Sequence, residues 1–301
     1  MSPLSSNQAA GDIEKPSAAR PALLTRGKKL VFWLIALYLF WCLLLYATQR
    51  WLIFPDYMAP EPISAEKYDV STTVLTREID AGSVIAWFIP GRGVSPESPG
   101  PLVVYCHGNA EIIDHQGHRI EHYRSMGISI LMPEYRGYGR SDGQPTERDI
   151  VDDIVYFHDR ALRRSDVDPE RILIHGRSLG GGLAADLATR RKPRVLILGS
   201  TFTSIRAMAR KYLAPGFLVR HPFHVDRVLK TLDIPVLIFH GTHDDIIPVA
   251  HGRALRDLAR NATYLEFDCK HNDFPGAKNE RHYWNEIRRF LTKNGILTGG
   301  K

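Results

Sequence analysis

The chain has 301 residues, 44% of them hydrophobic and 24% charged, the balance of a folded globular protein and not of a disordered one. Its formal charge of +6, from 39 basic against 33 acidic residues, comes without a dense Lys/Arg run or an aromatic–basic strip, which argues against nucleic acid as a partner. The three cysteines, Cys42, Cys106 and Cys269, show no paired spacing that suggests a disulfide framework or a zinc site, and all three are read as free and buried.

In chain order, residues 1–28 are rich in Ser, Ala and Pro and are predicted to be a disordered tail. Residues 29–51 are predicted to be a membrane anchor. Within them residues 30–47 form a run of 18 without a charge, reaching roughly 27 Å as a helix. Trp33 at one end and Tyr46 and Trp51 at the other suit the two interfaces, and Arg50 can snorkel outward. A buried core helix is not apolar on every face for so long. A cleaved signal peptide competes, but Leu45-Tyr46-Ala47 puts a large residue where a small-x-small site is wanted, so an uncleaved anchor is favoured. Lys15, Arg20, Arg26, Lys28 and Lys29 precede the run and only Arg50 and Lys67 follow closely, so the positive-inside rule predicts a cytoplasmic N-terminus and an extracytoplasmic body. Residues 52–69 read as a connector.

From residue 70 to 296 short β-branched runs alternate with longer amphipathic ones. Strands are predicted at 72–79, 83–89, 102–106, 128–132, 171–174, 195–198, 236–239 and 263–267. The first two, joined by Asp80-Ala81-Gly82, read as an antiparallel edge hairpin. The clearest helix starts at Thr146, where Thr146-Glu147-Arg148-Asp149 is a capping-box pattern, and its Glu147, Asp149, Asp152 and Asp153 are read as a solvated face. Such alternation predicts an α/β class with a mostly parallel eight-stranded sheet covered by helices on both faces.

The sharpest chemical motif is Gly176-Arg177-Ser178-Leu179-Gly180, a G-x-S-x-G with RILIHG before it as a strand and LGGGLAADLATRR after it as a helix. A serine at neutral pH is a weak nucleophile and needs a histidine base, itself oriented by an acid. In the strand–elbow–helix setting the acid and then the histidine follow the serine along the chain. Asp244, after the apolar run VLIFH, and His271, after the next strand, fit that order; Asp245 and Asp268 are rivals for the acid. Tyr105-Cys106-His107-Gly108-Asn109 closes the third predicted strand, and the N–H groups of Asn109 and Leu179 are the candidate oxyanion donors. His107 has no partner at ligand spacing and is read as structural, and the chemistry requires neither metal nor organic cofactor.

Together YCHGNA (105–110), EYRGYGRSDGQPTE (134–147), GRSLGGG (176–182), HGTHDDIIP (240–248) and KHNDFP (270–275) resemble the membrane-anchored serine hydrolases of the alpha/beta-hydrolase-domain-containing kind, as does RWLIFP (50–55). The resemblance covers residues 50–292 and implies the α/β-hydrolase fold, with Ser178, Asp244 and His271 as triad and Asn109 with Leu179 as oxyanion hole. It implies cleavage of carboxylic esters, lipid-derived or thioester acyl groups included, and leaves the substrate open. Residues 201–233 lie where such folds insert a cap. Phe202, Ile205, Met208, Tyr212, Leu213, Phe217 and Leu218 make that segment apolar, either as an acyl pocket facing the bilayer or as ordinary packing. A serine peptidase of prolyl-oligopeptidase type and a non-catalytic scaffold are the rival readings.

Overall fold

The computed structural model describes residues 20–63 and 72–298. Most of the predicted tail, and part of the predicted connector, lie outside them. By compactness the chain separates into two units, one ending at Leu45 and one starting at Tyr46.

Helix α1 runs Arg20–Ile53, and its Gly27–Ile53 stretch, of mean hydropathy 2.4, is long and apolar enough to cross a membrane. The helix therefore begins nine residues before the predicted anchor and takes in residues 20–28 of the predicted tail. Pro21 falls in its first turn, where a missing N–H breaks no helical hydrogen bond. Arg50 pairs with Asp56, just past the end of the helix, at 3.1 Å.

The body is one eight-stranded sheet in the order β1-β2-β4-β3-β5-β6-β7-β8. Its strands are β1 Thr73–Ile79, β2 Gly82–Ile89, β3 Gly100–Cys106, β4 Ser129–Pro133, β5 Val167–Arg177, β6 Val195–Gly199, β7 Val236–Gly241 and β8 Ala262–Phe267. β2 pairs antiparallel with β1 and β4, and every other pairing is parallel. This is the α/β-hydrolase arrangement. β5 begins four residues earlier than predicted, because Val167 pairs with Gly100 through a register shift that accommodates Asp168-Pro169-Glu170, a stretch that reads as a turn from sequence.

Alternate residues of each strand feed two cores. On one face Leu102, Val104 and Cys106 join α3 (Glu147–Ala161), α4 (Leu179–Arg190), α6 (Val225–Thr231) and α7 (Ala250–Leu258). On the other, Val103 and Tyr105 join α2 (Gly117–Ser125) and α8 (Glu280–Lys293). Thr146 caps α3 as predicted, its hydroxyl accepting from Asp149 N–H at 3.1 Å. The solvated-face reading of the α3 carboxylates is corrected for Asp153 and Glu147, whereas the Asp149 and Asp152 side chains remain partly exposed. Asp153 is buried, pinned by Arg77 at 2.7 Å and Arg136 at 2.6 Å, because its position borders the apolar stripe of Ile150, Ile154 and Phe157. Glu147 is half-buried and accepts the Phe223 N–H at 3.0 Å.

The predicted cap region comprises α5 (Ile205–Ala209), short 3-10 turns at Arg210–Tyr212 and Gly216–Leu218, and α6. Its apolar set divides. Phe202 is in the core, and Ile205 and Met208 pack against it, whereas Tyr212, Leu213 and Phe217 are 54%, 75% and 80% exposed. The last turns of α1 clamp this segment: the Gln49 amide donates to Leu218 O at 3.1 Å and accepts from Arg220 N at 2.7 Å.

Candidate active site

Four loops meet at the carboxyl ends of the parallel strands, where the strand order switches sides about β3, the usual place for a site in an open α/β sheet. They follow β3, β5, β7 and β8.

The turn after β5 is forced by contacts on both sides. A Cβ on Gly176 would lie 2.2 Å from Gly180 O, and one on Gly180 would lie 2.1 Å from Cys106 O, so helix and strand approach this closely only through glycine. Ser178 sits between them at φ 53°, ψ −120°, a conformation that costs on the order of 1–3 kcal/mol for a residue with a side chain. Its N–H continues the β5–β6 ladder to Gly199 O at 2.9 Å, and its carbonyl accepts from the Thr201 hydroxyl at 2.7 Å. These bonds hold the strained turn. The hydroxyl is presented at the N-terminus of α4, whose dipole favours negative charge there.

Ser178 Oγ lies 2.9 Å from His271 Nε2, and His271 Nδ1 lies 2.7 Å from Asp244 Oδ2. All three residues are more than nine-tenths buried. The other Asp244 oxygen accepts the Ile246 and Ile247 N–H groups at 3.1 and 2.7 Å. Burial alone would raise the Asp244 carboxyl; hydrogen bonds with His240 and His271, the nearby His271 charge and the Ile247 N–H outweigh it and hold the group well below the usual carboxylate range. The rivals stand elsewhere. Asp245 is exposed, and Asp268 pairs on the surface with His243 and Lys278.

Neither the Asn109 N–H nor the Leu179 N–H has an acceptor among the described residues, and Leu179 opens α4. Asn109 is held by its side chain, which accepts the Tyr138 hydroxyl at 2.9 Å and the Ala110 N–H at 3.1 Å. His107 is buried beneath this loop, stacked on Tyr135 and 3.3 Å from Glu134. All three cysteines are unpaired and buried. Burial pushes the Cys106 thiol up to about 12 and, with nearby carboxylates, the Cys269 thiol up to about 11, so neither is a thiolate at neutral pH.

Three residues escaped the sequence reading. His240, at the end of β7, sets Nε2 2.8 Å from Ile247 O and 3.5 Å from Asp244 Oδ2, bracing the acid loop. Arg177, the first x of the serine motif, donates Nη2 to His271 O at 2.7 Å and Nη1 to Glu111. Glu111 in turn accepts the Gly108 N–H at 2.9 Å. One buried ion pair therefore ties together the loops bearing Ser178, His271 and Asn109. Burial would raise the Glu111 carboxyl, but the Arg177 and Arg119 charges and the Gly108 N–H pull it below its ordinary value. The position of Arg177 inside the motif was the available signal; its partner could not be seen without the β3–β5 pairing.

A family model described as "Serine aminopeptidase, S33" matches residues 97–225, which contain Ser178 but not Asp244 or His271. The alpha/beta hydrolase domain-containing protein WAV2 of Arabidopsis thaliana is 33% identical over 234 residues, 69% of this chain and 74% of that one. The lysophosphatidylserine lipase ABHD12 of Danio rerio is 33% identical over 196 residues, 56% of this chain and 50% of that one. Among solved structures, esterase 2 of Thermogutta terrifontis superposes with a TM-score of 0.63 at 18% identity, over 79% of this chain and all of that one.

Proposed function

This chain belongs to the α/β-hydrolase family, and from that premise we propose that it is a membrane-anchored serine hydrolase of carboxylic esters, with Ser178, His271 and Asp244 as its triad. The observation that carries the reading is the relay from Ser178 Oγ through His271 to Asp244 at 2.9 and 2.7 Å. His271 Nε2 removes the Ser178 proton as the hydroxyl attacks the ester carbonyl. Asp244, kept ionised, holds Nδ1–H and supports the imidazolium. The N–H groups of Asn109 and Leu179 receive the developing oxyanion, each worth on the order of 10²–10³ in rate. The imidazolium then protonates the leaving alcohol, and water attacks the acyl-serine by the reverse steps.

The substrate class we infer is an ester of a lipid acyl chain. Gln49, in the last turns of α1, clamps the cap segment whose Tyr212, Leu213 and Phe217 are the outward apolar tip, so that tip lies by the end of the helix we read as the anchor. The basic flank before that helix supports a cytoplasmic N-terminus and an extracytoplasmic body. The lysophosphatidylserine lipase relative is consistent with the same substrate class.

The test is Ser178→Ala in the full chain in detergent. Hydrolysis of a p-nitrophenyl acyl series should fall on the order of 10⁴-fold or more with the melting temperature unchanged. Wild-type turnover in this variant would end the proposal, and rates indifferent to chain length would end its lipid part. The aminopeptidase description of the matching family model favours a second reading, a serine peptidase. Such an enzyme must offer a carboxylate to the substrate's α-ammonium, and Glu111, on the oxyanion loop, is already engaged by Arg177. Comparing aminoacyl amides with esters separates the two.

A further inference from the structure

On the far face of the sheet, away from the α3–α4 side, α2 and α8 bring together three side chains that the ester chemistry does not use. His118 and His122 are four residues apart on α2, so both lie on one face of that helix. Their rings meet edge to face with centroids 4.5 Å apart. Glu280, the first residue of α8, sets Oε1 2.7 Å from His118 Nε2 and 3.9 Å from His122 Nε2. The three potential ligand atoms lie within 4.8 Å of one another.

We propose that His118, His122 and Glu280 form a binding site for a divalent transition cation, zinc in preference, that staples α2 to α8. Two imidazoles four apart on a helix plus one carboxylate supply the borderline nitrogen and oxygen donors that zinc takes at about 2.0–2.2 Å. Calcium and magnesium, which want six or more oxygens or an octahedral shell, are poorly served by this set. Closing the ligands around an ion needs side-chain rotation only, since His118 is exposed and the other two are partly so.

The surroundings orient the ligands as a metal site requires. The Trp284 indole N–H donates to Glu280 Oε1 at 2.6 Å, and its ring stacks on His122 at 4.3 Å and 12°. Such outer partners fix the ligand geometry. An open cleft of about 810 Å³ lined by His122, Glu280, Trp284, Lys278, Arg281 and Arg288 leaves the fourth position to water or an anion drawn by its basic rim. α2 follows the Asn109 loop and α8 follows the His271 loop, so a cation here would brace both from outside the catalytic centre.

The experiment is calorimetric titration of the chelator-stripped full chain in detergent with zinc, repeated with magnesium. One saturable zinc site is expected, with no response to magnesium. At a hundredfold excess over its Kd, zinc should raise the melting temperature by roughly 5–10 °C. His118→Ala and His122→Ala should each weaken zinc at least about tenfold, and His271→Ala should bind it as the wild type does. Cobalt should give the intense visible absorption of a four-coordinate site. The proposal is overturned if no saturable binding occurs, if the double variant His118→Ala/His122→Ala binds zinc like the wild type, or if binding is lost with His271→Ala.

Discussion

Replacing Glu111 by Gln keeps the shape of the side chain and removes the charge that faces Arg177. The Arg177 side chain is 9% exposed and would be left with neutral acceptors alone, the His271 carbonyl and the amide oxygen. Breaking a buried ion pair from one side costs about 3–5 kcal/mol. Glu111 is itself 23% exposed, so water softens the loss, and about 2–3 kcal/mol is the fair expectation. For a body of this size that lowers the melting temperature by roughly 5–10 °C. Because Glu111 is held below its ordinary carboxylate value, this stabilisation is fully present at neutral pH. The gap between wild type and variant should close as pH falls through the lowered value. The catalytic effect is separate: Gln offers one acceptor oxygen where the carboxylate served both Arg177 and the Gly108 N–H, so the weakened Gly108 anchor loosens the Asn109 N–H and kcat should drop by about tenfold to a hundredfold, below the ceiling for losing a donor outright. Thermal melts of the detergent-solubilised chain across pH, with p-nitrophenyl ester kinetics, read both effects. A variant that melts within about 1 °C of wild type at neutral pH and keeps its kcat would refute the idea that this ion pair organises the site.

Gly180→Ala should abolish ester hydrolysis and destabilise by about 3 kcal/mol or more, since its Cβ would sit 2.1 Å from Cys106 O and drive α4 off β3; circular dichroism and turnover check it. Glu147→Gln should do the opposite. Burial pushes this carboxyl up to about 7, so the ionised group costs stability above that pH, and the cost fades as pH falls from there to the ordinary value near 4.3. Discounted for its partial exposure, the variant should be about 1 kcal/mol more stable than wild type at pH 8, converging with it below about pH 4.5; equal melting temperatures at pH 8 would contradict the assignment.

Elements whose logic is local were legible. The β-branched runs gave eight strands, and Thr146 announced its helix because a hydroxyl three residues before an acid satisfies a free N–H. The grouping of Ser178, Asp244 and His271 was readable because the family's motifs keep them in chain order on loops that follow strands. What could not be read depends on which strands become neighbours. Arg177 and Glu111 are 66 residues apart and meet only because β5 lies beside β3. Asp153 looked solvated because local periodicity says nothing of Arg77, 76 residues upstream. His118 and His122 showed helical spacing, but Glu280 arrives from 162 residues downstream of His118.

The Gln49 amide serves the cap and Phe54 is wholly enclosed, although both follow directly on the apolar run. A version of this chain without the apolar run is therefore bounded by where it is cut. Removing everything before Tyr46 spares those groups. A cut after Ile53 strips both Gln49 hydrogen bonds from the 218–220 backbone and unravels the helical turn that seats Phe54. The end of the apolar helix and the integrity of the 201–233 segment share a few residues, so a change at one is felt by the other.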